Sequence, residues 1–303
     1  MTKTVLILGG SGKIGSHSAD AFWNAGWQVR HYDRKTGDMT QAAMGADVIV
    51  NGLNPPAYHD WARTIPAITA QVIAAAKASG AAVILPGNIY NYGDRPGLLD
   101  ENTPQTAQTR KGQIRIEMEA AYRDAGVPTI VLRAGNFIDP LGNGDIMSML
   151  IMREIAKGRI AAPADPDILL AYAYVPDWAR AAVMLADMRG ELASFEDIPF
   201  PGHAFTITDL HKVLEARSGR KIKVGAFAWW LMRLLSPFWE LAREMHEMRY
   251  LYHMPHQIGS AKFERLLPGF HATDLETVML SGLPADIHPD KMMHPGGQTI
   301  IAE

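Results

Sequence analysis

The chain has 303 residues, 48 % of them hydrophobic, with a formal net charge of -3 at pH 7 and no cysteine. That length suits one large domain, or a core domain with a smaller appendage. The small charge gives no long-range field to gather nucleic acid or an anionic membrane, and the lack of cysteine excludes disulfides and thiolate chemistry.

The start, MTKTVLILGG, runs directly into an apolar strand and lacks the h-region of a signal peptide, so the expected location is the cytoplasm. Thr4 to Leu8 is a continuous aliphatic run of the kind buried on both faces of a parallel sheet. A glycine-rich turn follows, then a helix over about 13–24 with Gly26 closing it. A second strand over 27–32 ends at Asp33, and the next spans 47–51. The polar stretch between them is short, which predicts a short or missing edge strand. A helix over 61–79, a strand over 82–85, a helix over 110–124 and a strand over 129–133 continue the alternation. Together they predict an α/β fold with a Rossmann-type, doubly wound parallel sheet.

Beyond about Asp139 the alternation weakens. A helix over 145–157, a strand over 171–175, a helix over 177–188 capped by Asp177, a strand over 205–207 and a helix from Asp209 are expected. The expected division is a dinucleotide-binding core over 1–139 and a smaller, mostly helical substrate-binding part over 140–303, interwoven with it. The most apolar stretch, GAFAWWLMRLL at 225–235, is too short and too interrupted to span a bilayer, so no integral membrane segment is expected. The Trp- and Met-rich region around it reads as core or as an apolar substrate lid, with a membrane-surface or dimer contact as the alternative. Residues 286–303 read as irregular.

Residues 9–15, GGSGKIG, match G-x-G-x-x-G between a buried strand and a helix. Such glycines let backbone approach a pyrophosphate, and the helix N-terminus presents free N–H groups to it. Gly9, Gly10, Ser11, Gly12, Lys13, Ile14 and Gly15 are therefore the candidate cofactor turn. Asp33 lies about where a carboxylate would accept the ribose hydroxyls, which favours NAD; Arg34 and Lys35 beside it keep NADP open.

These residues, with GADVIVNG (45–52), NYGD (91–94), LRAGNFIDP (132–140) and YVPDWARAAV (174–183), resemble the extended short-chain dehydrogenases/reductases of the NAD-dependent epimerase/dehydratase type. The resemblance runs from Thr4 to about Pro284 and places Gly52 beside the cofactor. The catalytic positions depart from the family pattern. Asn88 stands where Ser or Thr is usual, and Lys111-x-x-x-Arg115 replaces Tyr-x-x-x-Lys. The pattern Lys111, Arg115, Glu119 is similar to that of the isoflavone and phenylcoumaran benzylic ether reductases, in which a lysine is the acid/base.

On that reading Lys111 is the candidate proton shuttle, if burial and the Arg115 charge bring it towards neutrality. Asn88 would donate to the reacting oxygen, Tyr90 and Tyr92 are further candidate acids, and Arg115 would hold the cofactor ribose. Tyr92, Arg133 and Asn136 are candidate substrate contacts at strand ends. The alternatives are plain: a solvated ion-paired helix face for Lys111, Arg115 and Glu119, strand-end packing for the tyrosines, and a turn cap for Asn88. The spacing of His246, His253 and His256 is not a metal-ligand set, so no metal is expected. Three functions follow: an NAD(P)-dependent oxidoreductase acting by hydride transfer on a small or medium organic molecule, an epimerase or dehydratase with tightly held NAD, or a non-catalytic cofactor-binding sensor. No nucleic-acid partner is expected, and a homodimer is left open.

Overall fold

A computed structural model describes residues 2–35, 37–142 and 144–283. The elements in chain order are β1 (Thr4–Leu8), α1 (Lys13–Asn24), β2 (Gln28–His31), α2 (Met39–Ala43), β3 (Val48–Asn51), α3 (Trp61–Ser79), β4 (Ala82–Gly87), β5 (Gly97–Leu99), α4 (Arg110–Asp124), β6 (Thr129–Arg133) and β7 (Asn136–Ile138). They continue with β8 (Arg159–Ala162), β9 (Leu170–Tyr174), α5 (Val175–Asp187), β10 (Phe195–Pro199), β11 (His203–Phe205), α6 (Ile207–Ser218), β12 (Lys223–Ala226), α7 (Trp229–Leu235), α8 (Glu240–Glu247), β13 (His256–Ile258), α9 (Ala261–Leu266) and α10 (Leu275–Leu280).

The main sheet has six parallel strands in the order β10-β6-β4-β3-β1-β2. The fold is therefore α/β, of the Rossmann type. β2 is the edge, and no strand lies beyond it among the described residues, as the short polar linker predicts. Strand residues alternate between two cores, because successive side chains leave a strand on opposite faces. Val5, Ile7, Val48, Val50, Ile84, Ile130 and Leu132 meet Phe22 of α1 and Trp178 of α5. Leu6, Leu8, Ile49, Val83, Leu85 and Val131 meet Trp61 and Val72 of α3 and Ile114 and Tyr122 of α4. Each such side chain stabilises the fold by roughly 1.5–3 kcal/mol when fully buried.

A third core joins Ile138, Met147, Leu150, Tyr172, Phe205 and Leu210. It lies under the three-stranded sheet β11-β9-β7 and the pair β12-β8. The expected helix over 145–157 is broken here: a π-type turn spans Met147–Ile151 and a 3-10 turn spans Ile155–Lys157. At the segment's start the Asp145 carboxylate accepts from Asp139 N (2.7 Å) and from Ser148 N (2.6 Å). The expected capping role of Asp177 is also corrected. α5 begins two residues earlier, and the buried Asp177 carboxylate instead accepts from Thr273 N and Oγ1 at 2.7 and 2.8 Å. The strand expected at 205–207 ends at Phe205, and α6 starts on a Thr206/Asp209 capping box. The irregular stretch expected at 286–303 lies outside the described residues.

Candidate active site

β1 is flanked by β2 on one side and β3 on the other. The chain reverses its direction of travel across the sheet at this point, and a crevice opens beyond the strands' carboxyl ends. The glycine-rich turn sits in it. Gly9 has φ +75° and packs on Gly52, whose carbonyl oxygen would lie 2.9 Å from a Cβ at Gly9. A Cβ at Gly15 would stand 2.2 Å from the Gly9 oxygen, so only glycine lets α1 approach β1 this closely. Gly12 stands at the N-cap of α1 with no side-chain cap, and the first turn carries no acidic residue. Its dipole and free N–H groups are therefore available to an anion. Ser11 and Gly12 are exposed, while Ile14 is buried in the core.

Lys13 points away from the turn; its Nζ donates to Gly144 O at 2.8 Å, and burial lowers its pKa. Asp33 and Arg34 are exposed beyond β2, where the Asp33 carboxylate accepts from Lys35 N at 2.8 Å. His31 is a neighbour the motif does not reveal. Its Nδ1 would be 2.5 Å from a Cβ at Gly10, so the imidazole lies against the turn.

The far side of the crevice is built by the ends of β4 and β6 and by α4. Arg133 is fully buried and is a hub between strand ends. It grips Glu119 in bidentate fashion at 3.1 and 2.7 Å, Asp197 at 2.6–3.1 Å, and the Asn88 carbonyl at 2.6 Å. All five of its N–H directions are used by the protein. Tyr92 packs its ring 5.3 Å from that guanidinium and donates to Asp100 O at 3.0 Å. Asn136 donates to Ala171 O at 3.4 Å. Asn88 Oδ1 accepts from Tyr90 N at 3.0 Å, a turn that presents Tyr90.

Lys111 is completely buried, and its Nζ donates to Glu244 and Glu247 at 2.5 Å each. Glu247 also accepts from Lys111 N at 3.2 Å, at the start of α4 where a carboxylate is favoured by the helix dipole. The two carboxylates come from α8 and its end, 133 and 136 residues away in sequence, which is why sequence spacing could not show them. The ammonium is neutralised by both, rather than left unpaired beside Arg115.

Arg115 occupies a different setting. Its guanidinium lies 4.9 Å from the Trp61 ring, and its Nε is buried without an acceptor. Beside it the hydroxyls of Tyr58 and Tyr90 meet at 3.3 Å. The neighbouring Tyr90 phenol, together with burial, raises the Tyr58 pKa well above the usual phenol value, against the Arg115 charge. Tyr58 arrives on a loop with left-handed backbone at Ala57, Tyr58 and Asp60. Its only sequence signal was the Pro-Pro turn before it. The structure thus gathers Asn88, Tyr90 and Arg115 on one side of the crevice. It commits Lys111, Tyr92 and Arg133 to internal contacts.

No protein-family model matches the chain, and no curated protein matches its sequence. Solved structures share its architecture. A UDP-glucuronic acid 4-epimerase from Bacillus cereus, in complex with UDP-glucuronic acid and NAD, is 14% identical, with 96% of this chain and 100% of that one covered and a TM-score of 0.71. A UDP-glucose 4-epimerase from Brucella ovis in complex with NAD is 18% identical over 92% of this chain and 97% of that one, with a TM-score of 0.70. A nucleoside-diphosphate-sugar epimerase from Staphylococcus aureus is 18% identical over 92% and 99%, with a TM-score of 0.65. At these identities the likeness establishes a shared fold: the chain has the Rossmann-type architecture on which those epimerases are built.

Proposed function

We propose that the chain is an NAD-dependent enzyme acting at an alcohol or carbonyl carbon of a small molecule, of the epimerase/dehydratase kind. The observation that carries this is the interlock of Gly9, Gly15 and Gly52, which leaves the uncapped start of α1 facing the crevice. The residues fit a dinucleotide: the turn for its pyrophosphate and Asp33 for its adenosine ribose. When bound, the cofactor supplies the hydride acceptor or donor.

The chain supplies the proton chemistry, and we assign it to Tyr90 rather than Lys111. Tyr90 Oη takes the proton of a substrate hydroxyl as its carbon loses hydride, and returns it as hydride returns. Arg115 stabilises the Tyr90 phenolate that accepts this proton, since a guanidinium keeps its charge. Tyr58, held protonated, donates to the same oxygen. Asn88 Nδ2 makes no hydrogen bond among the described residues and serves as a donor to the substrate oxygen. The ligands bound by the structural neighbours, UDP-glucuronic acid with NAD among them, support this reading and suggest the first substrates to screen.

The test is calorimetric titration of the cofactor-stripped protein with NAD, NADH, NADP and NADPH. Binding of the unphosphorylated pair, lost in Asp33→Ala and in Gly15→Ala, is the expected outcome. Binding of none of the four would overturn the reading. On a substrate found by screening, Tyr90→Phe should lower turnover about 10²–10⁴-fold with NAD affinity unchanged.

A further inference from the structure

The helix pair α7 and α8 carries a surface that the proposed chemistry does not use. Trp230 and Leu234 lie one turn apart on α7, Phe238 follows in the turn just past its end, and all three are exposed; Phe238 is 91% and Trp230 70% exposed. Trp239 adds to the same turn. A soluble monomer rarely holds several large apolar side chains in one patch without using them.

Beside the patch lies a recess of ≈ 480 Å³ lined by Arg233, His246, Glu247, Arg249, Tyr250 and His253. Arg233 belongs to the exposed side of α7, between Trp230 and Leu234. Neither Arg233 nor Arg249 makes an ion pair or side-chain hydrogen bond among the described residues. His246 Nδ1 is buried with no partner. The one carboxylate in the wall, Glu247, is already bound to Lys111 through both oxygens. The recess therefore offers two free guanidiniums and imidazole nitrogens with their local countercharge spent, a setting suited to a phosphate group.

We propose that this face seats the protein on an anionic lipid surface. A headgroup phosphate enters the recess between Arg233 and Arg249, while Trp230, Leu234 and Phe238 enter the interfacial layer. Tryptophan and other apolar side chains flanked by arginine are the pattern of interfacial binding. No described helix is long and apolar enough to cross a membrane, so contact is with the surface only. The net charge of -3 supplies no long-range attraction. The recess acts at short range and selects an anionic headgroup, and the apolar residues add affinity once it is seated.

The experiment is co-sedimentation of the full-length protein with vesicles of phosphatidylcholine alone and of phosphatidylcholine with phosphatidylglycerol. Binding to the anionic vesicles only, weakened by added salt, is expected. The double variant Trp230→Ser/Phe238→Ser should bind at least tenfold more weakly, on the order of the loss of two buried aromatic contacts. Arg233→Gln and Arg249→Gln should each cost about fivefold. Urea midpoints of these surface variants, unchanged from the parent, show that they still fold. Equal binding to both vesicle types, or binding to neither, overturns the proposal. So does inorganic phosphate that quenches tryptophan emission while vesicles do not bind, which would assign the recess to a free anion. Dimerisation abolished by Phe238→Ser, again without vesicle binding, would assign the face to a second copy of the chain.

Discussion

Arg133 shows what a single side chain does here. Its charge is buried, which would be prohibitive alone, and it is tolerated because Glu119 and Asp197 both face it at hydrogen-bond distance. The three groups fasten β6, β10 and α4 at the point where the crevice opens. Replacing the arginine by methionine leaves the buried Glu119 and the half-buried Asp197 without their cation, Glu119 keeping only the Gln105 amide at 3.3 Å. Removing one partner of a buried pair costs about 3–5 kcal/mol, so the unfolding free energy of Arg133→Met from urea titration should fall by that much. Arg133→Lys should recover only part, since an ammonium cannot grip two carboxylates in bidentate fashion. An unfolding free energy within about 1 kcal/mol of the parent's, roughly the scatter of ordinary surface substitutions, would show that the hub is dispensable. The prediction concerns stability, and it separates Arg133 from Tyr90, whose loss should touch turnover alone.

The loop over 55–61 and α8 form the next level. Left-handed φ at Ala57, Tyr58 and Asp60 costs on the order of 1–2 kcal/mol per residue, so something must hold the loop. Trp61 packs in the core below it, and Glu240 of α8 bridges His59 Nδ1 at 2.6 Å and Asp60 N at 3.4 Å above it. The hydrogen bond and charge of Glu240 raise the His59 pKa. The folded value then exceeds the unfolded one, near 6.5. This contact is thus complete below about pH 6.5 and fades as pH rises through the folded value. NMR titration of His59 should give a raised pKa that returns to the ordinary range in Glu240→Gln; an unchanged value would remove Glu240 from the loop's support. Such pairings explain what the sequence hid. The turn at 9–15 and helices such as 61–79 are legible because their signals are local: a glycine pattern, a 3.6-residue period, a closing glycine at Gly80. The interruption between Ile151 and Ile155 is not, because no local signal in 145–157 marks it. Tyr58 and the two glutamates on Lys111 carry no local signal either, since only the folded chain brings them to α4.

At the scale of the molecule, charge joins the C-terminal helices to the Rossmann core. Glu244 of α8 is fully buried and binds both Arg110 and Lys111 at 2.5 Å, while Glu247 completes the second contact on Lys111. Burial alone would raise the Glu244 pKa, but the hydrogen bonds and charges of Lys111 and Arg110 outweigh it, and the net shift is downward. The unfolded chain therefore takes up this proton at higher pH than the folded one. Stability from Glu244 is complete above the unfolded value, near 4.3, and is lost as pH falls through the folded value. Glu240 is shifted in the same direction, chiefly by its hydrogen bond to His59. The seam should accordingly weaken in acid before the apolar cores do. Comparing urea midpoints of the parent chain and Glu244→Gln isolates the effect. At pH 7 the variant should be clearly less stable, because glutamine leaves the buried Lys111 ammonium with one carboxylate in place of two. As pH falls below about 4 the parent loses the same advantage, and the two midpoints should converge. A gap that stays constant across that range would mean that shape and packing, not the carboxylate's charge, hold α8 to the core. Lys111 would then be a buried cation with an unexplained second partner, and its place as a clamp outside the chemistry would have to be reconsidered.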